Sequence, residues 1–393
     1  MSRATKSLAA GSVLLLFLGI IYVWSVFVAP VATLLNWDTS SVKLTASFML
    51  ASFVIGIFVS GQLINRIQPK NVVLCGGLML AAGILIASTT PVSAPWLIYI
   101  SYGILGGVGV GIAYNTIITC AQRNFPTRRA VATGISVFAF GLSTVIFAPV
   151  AKYFANPDVL GVRGLMRVLA AIFAVSVLVL YRFISLPEEE SPKAAASSTS
   201  DDPTLAQAFR SKSLYILFAI KFFADGVYLT LNPSFVTIAQ DKGLGDSLTT
   251  ILVMMTGIGS AFGRLIFPLL IAKFGARTAA IICSLGSAVV VVGLALMNGP
   301  AIMVCIIFVA LFFGGASCYT PILTSDCFGV RNVGSIYSIV MFGYMTTAMV
   351  SPLIFKALGV ADSPTEFIIL ACFSVVSAVL AIVLPKKKFR VKA

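Results

Sequence analysis

The chain has 393 residues, 59% of them hydrophobic and 10% charged, with a mean hydropathy of +1.03 and a net charge of +14. A soluble domain carries about 25% charged residues, so this composition excludes a water-soluble globular protein and makes a lipid bilayer the natural solvent. Histidine is absent, which excludes imidazole chemistry and histidine proton relays. The basic residues sit between apolar runs rather than on one face, so nucleic acid is not an expected partner.

A membrane-spanning helix needs roughly 20 mostly apolar residues. Such runs recur at 9–35, 44–66, 71–91, 96–122, 130–154, 164–184, 213–240, 247–272, 278–298, 300–327, 334–357 and 366–385, which predicts twelve spans. The first run begins at Leu8, continues past Pro30 and shows no cleavage site, so it reads as span 1 and not as a signal peptide. Alternate loops are rich in Lys and Arg. One set holds, among others, Arg66, Lys70, Arg123, Arg128, Arg129, Lys273, Arg277 and the tail KKKFRVK, whereas the opposite set holds only Lys43, Lys152, Arg163, Arg167, Lys242 and Lys356. The positive-inside rule then places both termini in the cytoplasm.

The longest polar stretch, LPEEESPKAAASSTSDDPT from Leu186 to Thr204, reads as a flexible linker. The expected organisation is an N-terminal six-helix bundle over 1–184, a cytoplasmic linker over 185–212, and a C-terminal six-helix bundle with a basic tail over 213–393. LINRIQPKNVV after span 2 resembles LIAKFGARTAA after span 8, with Arg66 and Lys273 lying 207 residues apart. GGVGVGIAY in span 4 and GGASCYTPI in span 10 lie 208 residues apart. The near-constant offset argues for a duplicated unit, a plan that in transporters places substrate near the membrane midplane. The seven cysteines form no CxxC pair and read as small packing residues. Neither a phosphate-binding loop nor a metal cluster is present in the pattern, so no cofactor is expected.

Three charges fall well inside spans: Lys221, Asp225 and Arg264. A charge at that depth is costly and is usually functional or paired. Arg264 precedes Lys273 by nine residues, roughly 13 Å along a helix, which is too deep to snorkel easily. Its neighbours one turn away are Ser260 and Pro268, and Gly257, Gly259 and Gly263 thin the helix around it. Its planar fork suits a carboxylate supplied by substrate, and a structural lock on Asp225 or on helix carbonyls is the alternative. Lys221 and Asp225 are four residues apart and can meet on one helix face. They read either as a local ion pair or as a proton-coupling site carried by Asp225. Tyr22, Trp24 and Phe27 of span 1, Tyr114 and Asn115 of span 4, and Tyr319 of span 10 offer aromatic walls and hydrogen-bond donors, with ordinary packing as the competing role. Pro149, Pro321 and Pro352, with Gly141 and Gly343, mark points where a moving bundle can bend.

Four stretches together resemble the oxalate/formate antiporter family of the major facilitator superfamily, and more distantly the monocarboxylate porters. They are YVWSVFVAP, GVGVGIAYNTIITCAQRNFPTRRAVATGISVFAFGLS, GRLIFPLLIAKFGAR and TPILTSDCFGVRNVGSIYS. The resemblance implies an all-α polytopic membrane protein with twelve transmembrane helices in two pseudo-symmetric bundles. It also implies a secondary transporter, not an enzyme, that moves a small carboxylate by alternating access. Arg264 falls on the family's carboxylate-binding arginine, and Tyr22, Trp24, Phe27, Tyr114 and Phe140 fall on its aromatic pocket positions. The family's second cation, a lysine in span 11, is Val340 here. An unpaired second carboxylate in a dry cavity is expensive, so the expected substrate is a monocarboxylate of the lactate, pyruvate or formate class, carried by proton symport or anion exchange. The alternatives are an oxalate or dicarboxylate exchanger that uses Lys221 as the second cation, or an exporter of hydrophobic compounds. The expected setting is the inner or plasma membrane, with the chain working as a monomer. The acid of the superfamily's cytoplasmic loop motif is replaced by Asn65 and Ala272, so gating contacts there are expected to differ.

Overall fold

A computed structural model describes residues 2–187, 202–357 and 364–385. Most of the expected linker, at 188–201, and the basic tail at 386–393 lie outside the described residues. Among the described residues no strand occurs, and twelve helices are long and apolar enough to cross a membrane. They are Arg3–Leu35, Ser41–Leu63, Pro69–Ala87, Tyr99–Asn124, Arg129–Phe154, Gly161–Phe183, Lys212–Leu231, Met254–Phe274, Ala276–Leu296, Ala301–Phe328, Val333–Ser351 and Thr365–Val383, designated spans 1 to 12. Large apolar side chains such as Leu269, Val289, Leu296 and Ile368 stand exposed on these helices. Their exposure fits contact with lipid, and backbone hydrogen bonding inside each helix satisfies the polar groups that lipid cannot.

Most span ends agree with the sequence expectation to within a few residues, the end of span 7 falls nine residues short of it, and some interiors also differ. Span 1 is interrupted by a 3₁₀ turn at Gly19–Val23, and span 4 begins as a π-helix over Tyr99–Gly106. The apolar run expected as one span over 213–240 is divided. Its α-helix ends at Leu231, a 3₁₀ turn covers Asn232–Ser234, and a short helix follows at Phe235–Asp241. Pro233 supplies the reason, since a proline brings no N–H for the helical ladder. Spans 8 and 9 are separated by Gly275 alone, whose φ of 83° is the conformation that favours glycine.

The chain forms two compact units, one of residues 1–132 with 142–200, the other of 133–141 with 201–393. Span 5 therefore contributes its early segment, Thr133–Gly141, to the second unit and its remainder to the first. In the first unit span 4 packs on spans 1, 2 and 3, and span 3 packs on span 6. In the second unit span 10 packs on spans 7, 8 and 9, and span 9 packs on span 12. The same pairing in each unit is the structural counterpart of the sequence repeat. A specific contact recurs with it. A Cβ on Gly56 of span 2 would overlap the Val108 carbonyl of span 4, and a Cβ on Gly263 of span 8 would overlap the Leu311 carbonyl of span 10. These two glycines let helix backbones touch, the packing that replaces hydrophobic drive inside lipid.

Candidate functional site

The second unit holds the three charges that the sequence places well inside spans, Lys221, Asp225 and Arg264. Lys221 and Asp225 stand one turn apart on span 7, and Nζ lies 2.8 Å from the carboxylate with both side chains buried. Lys221 also faces the Tyr344 ring of span 11, 5.7 Å from its centroid. Arg264 on span 8 is 3% exposed. Its guanidinium carbon lies 5.9 Å from the Phe313 ring of span 10, and Phe313 stacks on Tyr228 of span 7 at 4.1 Å and 11°. The Cys318 thiol donates to the Arg264 carbonyl at 3.5 Å. Asp225 lies within electrostatic range of Arg264 as well as of Lys221. Two cations and one carboxylate are thus held among aromatic rings, where a low dielectric strengthens any charge interaction.

The other expected residues occupy distinct surroundings. In the first unit, the Trp24 indole N–H donates to the Val42 carbonyl at 3.0 Å, and its ring lies 4.4 Å from Tyr102 and 6.0 Å from Phe27. Tyr114 meets Phe53 edge-on, and Asn115 donates to the Ile57 carbonyl at 3.0 Å. Tyr22 is half-buried, whereas Trp24, Phe27, Tyr114 and Asn115 are buried. In the second unit, Phe140 is buried on span 5 beside Gly141. Tyr319 is buried on span 10, and Ser284 and Ser377 bond each other across spans 9 and 12 at 3.0 Å. The structure therefore brings Lys221, Asp225 and Arg264 together in the second unit, with Tyr319 also within electrostatic range of Asp225.

Sequence reasoning missed Tyr228, Phe313 and Tyr344. Tyr228 had a signal, because it follows Lys221 by seven residues and Asp225 by three on one helix face. Phe313 and Tyr344 had none, since they join through the packing of spans 7, 8, 10 and 11. Also missed was Arg123, which is buried at the end of span 4 and donates to Asn65 Oδ1 at 2.8 Å. At that loop an amide now accepts from the arginine, where the superfamily pattern has a carboxylate.

Twelve apolar helices and a cluster of buried charges define a polytopic helical membrane protein. The Major Facilitator Superfamily profile matches residues 9–324 and 217–392, and the chain belongs to that family. It is similar to the uncharacterized MFS-type transporter YhjX of Escherichia coli (strain K12), at 24% identity over 83% of this chain and 81% of that protein. It is similar to the oxalate:formate antiporter of Oxalobacter formigenes, at 24% identity over 92% of this chain and 87% of that one. Monocarboxylate transporter 13 of Rattus norvegicus matches at 27% identity over 44% of this chain and 40% of its own length. Among solved structures, the proton:xylose symporter XylE superposes with a TM-score of 0.75 at 16% identity, covering 98% of this chain and 97% of that one. That likeness carries the fold alone. The protein is a multi-pass membrane transporter and not an enzyme.

Proposed function

We propose that this transporter carries a small monocarboxylate of the lactate, pyruvate or formate class by alternating access, with Arg264 holding the carboxylate. The observation that carries this reading is the charge balance of the buried cluster. Lys221 is matched by Asp225 at 2.8 Å, so the three charges sum to one positive. A monoanion brings that sum to zero, and a dianion leaves an excess negative charge in a dry site. Val340, fully buried on span 11, adds no cation. Phe313 and Tyr228 give the arginine an apolar, aromatic wall, which suits a short organic anion better than a heavily hydrated inorganic one. The oxalate:formate antiporter and monocarboxylate transporter relatives support the same substrate class.

Purified protein in proteoliposomes tests this with labelled lactate, pyruvate, formate and oxalate. Uptake of at least one monocarboxylate is expected, and Arg264→Ala should reduce it to background while Arg264→Lys retains part of it. Wild-type transport by Arg264→Ala removes the clamp. A pH gradient that drives uptake identifies proton symport, whereas dependence on internal substrate identifies exchange. One observation favours the dicarboxylate alternative: Lys221 lies against Gly343 and Tyr344 of span 11, the helix that carries Val340. Oxalate uptake exceeding that of all three monocarboxylates would establish it.

A further inference from the structure

Thr133–Gly141 of span 5 belongs to the second unit, and two of its glycines meet span 8. Gly134 and Gly141 are seven residues apart and share a helix face, as do Arg264 and Pro268 opposite them. Their contacts differ in kind. A Cβ on Gly134 would overlap Cγ of Pro268 and lie 2.5 Å from its Cβ, with the Arg264 carbonyl 3.5 Å away. A Cβ on Gly141 would overlap Nη1 of Arg264 and lie 3.0 Å from its Cδ and 3.1 Å from its Cζ. The first glycine admits a proline ring, and the second admits the charged end of the buried arginine.

Glycine weakens a helix interior relative to alanine, so its presence at 141 needs a local reason. That reason is the space taken by the guanidinium, which has the Gly141 backbone on one side and the Phe313 ring on another. Nη1 is the atom nearest the glycine. Any side chain at 141 drives that nitrogen away and turns the whole planar fork, because the guanidinium moves as one rigid group. Bidentate carboxylate binding depends on the direction of that fork.

We propose that Gly141 is a positioning residue that seats the Arg264 guanidinium, fixing the direction in which it meets the substrate carboxylate and so setting carboxylate affinity. This rests on the reading of Arg264 as the carboxylate clamp. Lysine at 264 lacks both Nη1 and Cζ, so a methyl group at 141 has far less to displace in that background.

The test is uptake kinetics in proteoliposomes, with whichever of the four labelled acids the wild type carries best. The variants are Gly141→Ala, Gly134→Ala, Arg264→Ala, Arg264→Lys and the Gly141→Ala, Arg264→Lys double variant. Gly141→Ala is expected to raise KM by roughly 10- to 100-fold, the effect of an ångström-scale misplacement, with little change in maximal rate. Gly134→Ala, equally crowded but against a proline, is expected to lower thermal stability and leave KM alone. In the Arg264→Lys background, Gly141→Ala should change KM by less than about twofold, the non-additivity expected of groups in contact. A wild-type KM for Gly141→Ala, or the same fold-change in both backgrounds, overturns the seat. If Gly141→Ala fails to accumulate, rescue of accumulation in the double variant supports the seat, and failure of both overturns it. An inactive Arg264→Ala beside a normal Gly141→Ala removes the seat and keeps the clamp, whereas an Arg264→Ala of wild-type activity removes the clamp itself.

Discussion

Lys221 and Asp225 are stable inside the second unit only because each neutralises the other. Removing one partner of a buried pair costs about 3–5 kcal/mol, while removing both is often near neutral. Asp225→Asn and Lys221→Met should therefore each lower the apparent melting temperature of the detergent-purified protein, and the Lys221→Met, Asp225→Asn double variant should recover most of the loss. If Asp225 also carries the coupled proton, the double variant will keep exchange and lose uptake driven by a pH gradient. The three mid-span charges were legible in the sequence because a Lys, Asp or Arg inside an apolar run has no neutral explanation. Their aromatic partners were not. Phe313 and Tyr344 are two among forty-three aromatic residues in the chain, and only helix packing selects them. Gly141 was legible as a point of bending, and its contact with Arg264 was not, since a sequence does not say what lies opposite a missing side chain.

At the level of the helix, apolar run length is enough to count spans, because lipid thickness fixes the length that must be apolar. Breaks inside a span leave hydropathy unchanged, so the 3₁₀ turn at Gly19–Val23 and the π-helix at Tyr99–Gly106 were not legible. The break after Leu231 was marked by Pro233, and the sustained hydropathy beyond it concealed that mark. Helical glycines separate in the same way. Gly263 lies against the Leu311 backbone, whereas a Cβ on Gly164 of span 6 would come no closer than 3.4 Å to Leu160. Gly263→Ala should destabilise the protein by about 1–3 kcal/mol through overpacking, and Gly164→Ala should be neutral or mildly stabilising through helix propensity. Thermal unfolding of the two variants, measured side by side, checks the contrast.

Across the whole molecule the repeat was legible as a near-constant sequence offset of 207 to 208 residues. The structure adds matching span pairings within each unit. The loop charges predict the orientation. In a cysteine-free background, Asp158→Cys between spans 5 and 6 should react with a membrane-impermeant thiol reagent in intact cells, and Gln68→Cys between spans 2 and 3 should not. The reverse pattern inverts the topology. The buried trio of Lys221, Asp225 and Arg264 has an electrical consequence as well. If Arg264 holds a monoanion as proposed, the formal charges of the trio sum to zero with substrate aboard and to plus one without it. A membrane potential exerts about 2.3 kcal/mol per elementary charge per 100 mV, and it exerts that force only on the unloaded carrier. On that reading anion-for-anion exchange should be indifferent to voltage, while net anion transport, which requires the unloaded carrier to return, should slow or quicken with the potential clamped across the vesicle.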